Sequence, residues 1–519
     1  MLREGGSAAD AAFATLLALN VVEPQSSGIG GGGYLVYSDK GGAPVTFDGR
    51  ETAPHAAAGT WFFKDGQPMA FDDAQPGGKS VGVPGNIRMM ALAHQRYGKL
   101  KWAALFQPAI KLARDGFTVT PRLHNALLKY PATGALSAQA RAIFYEADGQ
   151  PKPVGAVVKN PAFAAFLERL ARLGPDSFYV GPNAQAIAAA VSGAPRNPAP
   201  MTAGDIASYE AKPRQPVCGT YRVYRICGMG PSSSGGFIVL ATLKQLERFD
   251  LSALGPRSPT AWHLIAESER LAYADRDKYL ADEDYVQVPL AGLTDPAYLA
   301  SRSALISPTS TIQNLRPGAP AGAEIICTPE LQPERGTSHF VAVDRWGNVA
   351  SETSTIESSF GSGLVVNGFY LNNELTDFSF IPEKNGCPVA NRVEGGKRPR
   401  SSMSPTIVYG PDGRVVLAVG AAGGSTIPAQ VAKAIIGVLD FHLPVQEAIA
   451  LPVIVAPGGD MVYLESGTFL ASMAPQLEAL GHKIDYRPPS TFKANAIEWL
   501  NGGWAGGADP RSEGAVLAE

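Results

Sequence analysis

The chain has almost no excess of either charge: 44 lysines and arginines stand against 47 acidic residues, a formal net charge of -3 over 519 residues. That balance excludes the basic footprint of a nucleic-acid binder. The one compact basic stretch, Lys397-Arg398-Pro399-Arg400, is too short to count and reads as a solvated loop. Cysteine is scarce, with Cys218, Cys227, Cys327 and Cys387 making four. No C-x-x-C occurs, which excludes a zinc ribbon or thioredoxin motif, and no metal or cofactor is expected. Cys218 and Cys227 flank Gly219 to Tyr224, a candidate tight hairpin. Two buried free thiols are expected there, with a disulfide as the alternative in an oxidising compartment. Long apolar runs are missing too. Ala11 to Val22 imitates a signal segment, but Asp10 precedes it, Arg3 and Glu4 cancel, and no small-x-small site follows. It is shorter than the ~20 residues a bilayer requires, so no membrane partner is expected. No internal repeat and no low-complexity tract interrupts the chain.

What is present is a hydrophobic fraction of 45%, enough to bury a sizeable core. The length suits two or three domains, or one large multilayer sheet enzyme. Ser7 is a good N-cap, so Ala8 to Val22 reads as a buried helix. Tyr34 to Tyr37 and Val45 to Phe47 read as paired strands around a turn at Lys40-Gly41-Gly42. Helical periodicity covers Gly85 to Tyr97, Trp102 to Asp115, Pro161 to Leu173 and Asn183 to Val191. Strands near Thr220 to Cys227 give way to Pro231-Ser232-Ser233-Ser234-Gly235-Gly236, then to helices over Gly236 to Leu246 and Pro259 to Leu280. Ser307 to Glu334 is rich in Pro, Gly, Ser and Thr and reads as an exposed linker. Helices on both sides of a strand-rich centre point to an α+β or layered α/β class.

After that linker the pattern becomes strict alternation. Thr337 to Val343 reads as a half-buried strand, Asp344 to Asn348 as a turn, and Val349 to Thr355 as a second strand. A hairpin symmetric about Trp346 pairs residues whose numbers sum to about 692, which sets Thr337 opposite Thr355. A bulge in the turn would break that pairing. A threonine hydroxyl is a weak nucleophile, but the α-amine of its own residue can activate it once that amine is free. Freeing the amine requires Thr337 to attack the carbonyl of Gly336. Glycine tolerates the strained geometry of such a shift. Gly-Thr-Ser-His is equally a turn entering a strand, and short motifs have high false-positive rates.

Longer motifs carry more weight. Gly336-Thr337-Ser338-His339-Phe340 resembles the processing site of the gamma-glutamyltransferase family. The resemblance continues through Leu371-Asn372-Asn373-Glu374-Leu375-Thr376-Asp377-Phe378-Ser379 and Lys397-Arg398-Pro399-Arg400-Ser401-Ser402-Met403-Ser404-Pro405-Thr406. It includes Gly420-Ala421-Ala422-Gly423-Gly424-Ser425 and Gly506-Gly507-Ala508-Asp509-Pro510-Arg511. Upstream it takes in Gly5 to Ala12, Gly28 to Tyr34 and Arg50-Glu51-Thr52-Ala53-Pro54, so it covers almost the whole chain.

The resemblance implies the four-layer αββα sandwich of N-terminal nucleophile hydrolases, of class α+β. It implies cleavage between Gly336 and Thr337, giving fragments 1–336 and 337–519 that stay intertwined as one heterodimeric unit. Thr337 would be the nucleophile, Thr355 would hold its oxygen, and Gly423 and Gly424 would form the oxyanion hole. Arg50, Ser401 and Ser402 match the binders of a donor's α-carboxylate, and Glu374 and Asp377 those of its α-ammonium. The implied reaction moves a γ-glutamyl group from glutathione-like donors to water or to an amino acid or peptide acceptor. Glu357 departs from the pattern, standing where an asparagine that helps bind the α-amine is common. The segment Phe380 to Gly396, matching a lid over the donor site, is several residues shorter than in bacterial members. The family usually has a longer N-terminus with a signal peptide. Export to the periplasm or medium is therefore expected of a longer native product, and a cytoplasmic location of the chain as written.

Two decoys are set aside. Gly28 to Gly33 satisfies G-x-G-x-x-G, but a dinucleotide site needs a strand before it and a helix after it, and the order here is reversed. The serines of Pro231 to Gly236 lack a G-x-S-x-G elbow and read as a structural turn lining the cleft. His339 shares Thr337's strand parity and reads as a satisfied buried histidine. The rival readings are a cephalosporin or glutaryl amidase on the same scaffold, and an uncleaved, non-catalytic binding protein.

Overall fold

A computed structural model of the chain describes residues 1–40, 42–329 and 332–518. The helix Ala8–Val22 starts where the cap residues place it. The Ser7 hydroxyl accepts from the Asp10 N–H at 3.2 Å, and the Asp10 carboxylate accepts from the Ser7 N–H at 2.8 Å. This reciprocal box satisfies two N–H groups that the first turn leaves without partners. The periodic stretch Trp102 to Asp115 forms two helices, Trp102–Leu105 and Gln107–Asp115. Pro108 lacks an N–H and its ring collides with the carbonyl four residues back, so one continuous helix is barred. Helices Asn86–Tyr97, Pro161–Leu173 and Pro182–Ser192 fall within a residue of their expected ends.

Two antiparallel sheets carry the molecule. In the first the strand order is Ser338–Val343, Val349–Thr355, Gly32–Ser38, Val45–Asp48, Lys212–Arg214. In the second it is Gly503–Ala508, Lys493–Leu500, Val415–Ala422, Thr406–Tyr409, Tyr224–Gly228, Val217–Tyr221. The expected Tyr34/Val45 pairing is present, while Gly41 of its turn lies outside the described residues.

Side-chain alternation sorts the layers. Along Gly32–Ser38, Leu35 and Tyr37 enter a core shared with Phe13, Leu17, Ile87, Met90, Ile110 and Leu167 of the covering helices. Tyr34 and Val36 point the other way, into a core with Ile407, Leu417 and Val419 of the second sheet. A strand with apolar residues on both faces must be covered on both. The far face of the second sheet is closed by helices Gly235–Leu246, Pro259–Tyr279 and Ile427–Leu439, which supply Val239, Trp262, Val431 and Ile435. The result is helix, sheet, sheet, helix: the α+β, four-layer αββα arrangement. Each sheet takes strands from both sides of the Gly336–Thr337 junction.

The expected free thiols are corrected. Cys218 is bonded to Cys227 and Cys327 to Cys387. The hairpin register sets Cys218 directly opposite Cys227, with Cα atoms 4.2 Å apart, and Cys218 is exposed rather than buried. Cys327 ties the Ser307 to Glu334 segment to the short hairpin Glu383–Lys384/Cys387–Pro388. Among the described residues no helix is long and apolar enough to cross a membrane.

Candidate active site

The hairpin pairs as its symmetry requires, from Ser338 with Ser354 to Val343 with Val349. Thr337 itself stands one residue before the strand, at φ 93°, a backbone region that a β-branched residue enters only under strain. Its hydroxyl donates to the Thr355 hydroxyl at 3.3 Å. The Thr355 oxygen also accepts from the Glu357 N–H at 2.8 Å, which fixes its orientation. Gly336 has φ 80°, and a side chain there would fall on the carbonyl oxygen of Glu357, so both conformation and space demand glycine. The Gly336 carbonyl accepts from the Gly423 N–H at 3.0 Å. Gly424, at φ 59°, lets the chain of Glu334 pass where a Cβ would meet the Glu334 carbonyl.

Below the junction lies a narrow cavity of about 10 Å³, lined by Arg50, Glu334, Thr337, Thr355, Glu357, Glu374, Asp377, Ser401 and Ser402 among others. The structure thus brings together the residues that the resemblance assigned. Arg50, just beyond strand Val45–Asp48, is 1% exposed rather than a surface residue. It is already engaged: Nη1 pairs with Glu374 and Nη2 with Asp377, while Nε donates to the Pro399 carbonyl and Nη2 to that of Arg400, both at 3.0 Å. Glu374 and Asp377 sit on one 3-10 turn, Glu374–Asp377, and are buried. Ser401 Oγ accepts from the Met403 N–H at 3.1 Å, and Ser402 Oγ from Arg276 Nη2 at 2.8 Å.

The cluster is acidic beyond what one guanidinium balances. Burial first, then Asp377 and Glu374, holds the Glu357 carboxyl well above the usual range. Burial likewise raises Asp377 and Glu374 against the pull of Arg50. Burial opposes charge on Arg50, but Glu374 and Asp377 outweigh it and keep the guanidinium ionised. Glu357 faces this cavity, and its Oε1 accepts from the Arg335 N–H at 3.2 Å. Three further groups escaped notice in the sequence. Glu51 is fully buried beside Glu374, and burial followed by Glu374 pushes its pKa well up. Its place beside Arg50 was the available signal. Arg276 and Glu334 form a buried ion pair at the cavity, although the linker ending at Glu334 reads as exposed. Nothing in a mid-helix arginine or a linker glutamate announces that pairing.

The remaining candidates fall outside the chemistry. His339 Nδ1 bonds the Thr353 hydroxyl at 2.8 Å, and burial lowers its pKa to about 3, so it is a neutral packed ring. Gly28 to Gly33 follows helix Ala8–Val22 and runs into strand Gly32–Ser38, and Gly31 packs on the Thr355 carbonyl. Ser232, Ser233 and Ser234 are buried and bond distant segments: Ser232 Oγ the Tyr34 hydroxyl, Ser233 Oγ the Met403 carbonyl and Ser234 Oγ the Ser401 carbonyl, with Ser234 Oγ also accepting from Arg276 Nε at 3.1 Å.

A family model described as gamma-glutamyltranspeptidase matches residues 1–519. The chain belongs to the gamma-glutamyltranspeptidase family. Among curated gamma-glutamyltranspeptidase relatives, the glutathione hydrolase proenzyme of Bacillus subtilis strain 168 is 35% identical, over 100% of this chain and 88% of its own. The acylase ACY 1 proenzyme of Pseudomonas sp. strain SE83 is 33% identical, over 100% of this chain and 90% of its own. Among solved structures, the cephalosporin acylase from Bacillus halodurans superposes with a TM-score of 0.86 at 26% identity, covering 100% of this chain and 92% of that one.

Proposed function

We propose that this gamma-glutamyltranspeptidase-family chain is a self-cleaving γ-glutamyltransferase and glutathione hydrolase with Thr337 as nucleophile. One observation carries the reading: the Thr337 hydroxyl is held by Thr355 while the Gly336 carbonyl already rests on the Gly423 N–H. Thr337 Oγ attacks the Gly336 carbonyl carbon, and the N–H of Gly423 stabilises the charge that develops on its oxygen. The Gly336–Thr337 C–N bond breaks as the ester forms, and the hydroxyl proton ends on the Thr337 nitrogen. Water then hydrolyses the ester, leaving a Gly336 carboxylate and a free Thr337 amine. That amine titrates near 7.7–8.0 in ordinary peptides, so near neutral pH part of it is available as base. In each turnover it takes the Thr337 hydroxyl proton and returns it to the leaving amine of the donor. The γ-glutamyl ester that remains is released by water or by an amine acceptor. Gly423 serves the oxyanion in both steps and Gly424 joins it in turnover, a contribution of roughly 2.7–4 kcal/mol per donor.

The acid cluster supports a γ-glutamyl over a glutaryl acyl group. Glu51, Glu374 and Asp377 surround one Arg50 and Glu357 stands against Asp377 and Glu374, so a cationic α-ammonium relieves their repulsion. A glutaryl group has no such cation. Arg50, Ser401 and Ser402 are assigned to the α-carboxylate of the donor.

Purified protein should therefore yield two fragments by intact mass, with Thr337 as a new N-terminus, and Thr337→Ala should remain whole. Matured enzyme should hydrolyse a γ-glutamyl anilide faster than a glutaryl anilide. Equal or better use of the glutaryl compound would promote the amidase reading, and an uncut wild-type chain the binding-protein one.

A further inference from the structure

The two disulfides differ in where they stand relative to the Gly336–Thr337 junction. Cys218–Cys227 closes a hairpin that lies wholly before it. Cys327–Cys387 spans it, joining residues 60 positions apart, one on each side. Its Cα atoms are 5.7 Å apart, a distance that a disulfide bridges without moving the backbone. Both ends are anchored. Upstream of Cys327, the Gly318 N–H donates to Asp275 at 2.6 Å and the Gly318 carbonyl accepts from Tyr279 at 2.7 Å, which fastens the segment to helix Pro259–Tyr279. Ile326 packs against the cluster of Phe237, Leu280 and Leu293. Cys387 sits on the hairpin Glu383–Lys384/Cys387–Pro388, whose base is Asn391. Asn391 is buried: its carbonyl accepts from the Ser379 N–H at 2.8 Å, Nδ2 donates to the Asp377 carbonyl at 2.7 Å, and Oδ1 accepts from the Arg400 N–H at 2.9 Å. The hairpin thus stands on the residue that holds the backbone of Asp377, which lines the cavity.

We propose that Cys327–Cys387 is a covalent cross-link between the two fragments and makes donor binding sensitive to thiol reductants. The proposal rests on the functional reading above for the position of the cut. Before the cut the bond closes a loop within one chain; afterwards it is the covalent tie between the pieces. Both cysteines are half-buried, and accessible disulfides are the ones that exchange. A dithiol reduces the bond in two exchanges. One thiolate attacks a sulfur, the S–S bond breaks and a mixed disulfide forms; the second thiol then displaces the protein sulfur. The protein gains two electrons and two protons as two thiols, and the dithiol closes to a cyclic disulfide. Re-formation passes the same electrons to a small-molecule or protein disulfide. With the bond open, the hairpin keeps the Cys327 N–H to Pro388 carbonyl bond at 2.9 Å and the stacking of Phe380 on Phe62. It loses its covalent anchor, and the added motion reaches Asp377 through Asn391. Thr337 and Gly423 adjoin strands of the two sheets and keep their geometry, so binding weakens while chemistry does not.

The test uses matured protein oxidised with 2-hydroxyethyl disulfide, its free thiols blocked by iodoacetamide before denaturation. On a denaturing gel without reductant it should run as one species at the mass of the full chain. With dithiothreitol it should give two fragments, the smaller beginning at Thr337. Two bands without reductant would overturn the cross-link. One band under both conditions would refute the cut instead. A digest of unreduced protein then decides the bond: joined Cys327 and Cys387 peptides support it, and separately alkylated ones overturn it. On the second point, dithiothreitol should raise KM for a γ-glutamyl anilide on the order of threefold to tenfold and leave kcat nearly unchanged. Cys387→Ser should show the raised KM without reductant and no further response, while Cys218→Ser should respond as wild type does. Equal KM in oxidised and reduced wild type, or a response that survives in Cys387→Ser, would overturn the control of donor binding. A wild type that does not turn over the anilide would refute the functional reading; amide hydrogen exchange over residues 377–391 then decides the coupling, quickening on reduction if it holds and unchanged if it does not.

Discussion

Gly336 shows how tightly one position can be specified. Its φ of 80° and its contact with the Glu357 carbonyl leave no room for a Cβ. Gly336→Ala should therefore fold with a displaced junction and cleave far more slowly than wild type, read as persistence of the full-length band. We propose that Glu357 sets the acid limb of activity. Burial, Asp377 and Glu374 hold its pKa up, so it becomes neutral as pH falls through that raised value. The neutral acid attracts an α-ammonium less, so KM for a γ-glutamyl anilide should rise on the acid side. Glu357→Asn should flatten that rise while leaving self-cleavage intact. An unchanged pH profile in the variant would place Glu357 outside donor binding. That Glu357 departs from the family pattern is visible in the sequence; that it faces the same cavity as Glu374 and Asp377 is not, because 17 and 20 residues of chain separate them.

At the scale of elements, strand Val349–Thr355 carries both the site and a cost. Thr353 and Thr355 share the side of His339, and Glu352 points to the other face with both oxygens unbonded. Burial pushes Glu352 from 4.5 up to about 8. Between those values the unfolded chain releases a proton that the folded one keeps, so stability falls as pH rises through that window. Glu352→Gln should match wild type near pH 4.5 and melt progressively higher than it towards pH 8, as measured by thermal denaturation at both ends. A constant difference across the range would show that Glu352 is already ionised or solvated. The strand itself was legible from its alternation, and helix Ala8–Val22 from Ser7 and Asp10, because these signals are local. The split at Phe106 was missed because the periodicity on both sides agrees; only Pro108 records it.

At the scale of the whole molecule, the two sheets interleave strands from before and after Thr337. The proposed cleavage would therefore cut a covalent bond without dividing a core. The fragments 1–336 and 337–519 should co-elute at the mass of the intact chain by native sizing and separate only in denaturant. Separation without denaturant would refute the proposed single unit. The sequence by itself determined the elements, the hairpin register that faces Thr337 with Thr355, and the family, since each rests on short-range pattern or on ordered motifs. Tertiary structure alone decided that Arg50 is held by Glu374 and Asp377, that Glu51 stands buried behind them, that the cysteines pair, and that Glu334 reaches Arg276. Those pairings join residues tens to hundreds of positions apart. Their energies depend on burial and distance, quantities that come into being only when the layers close.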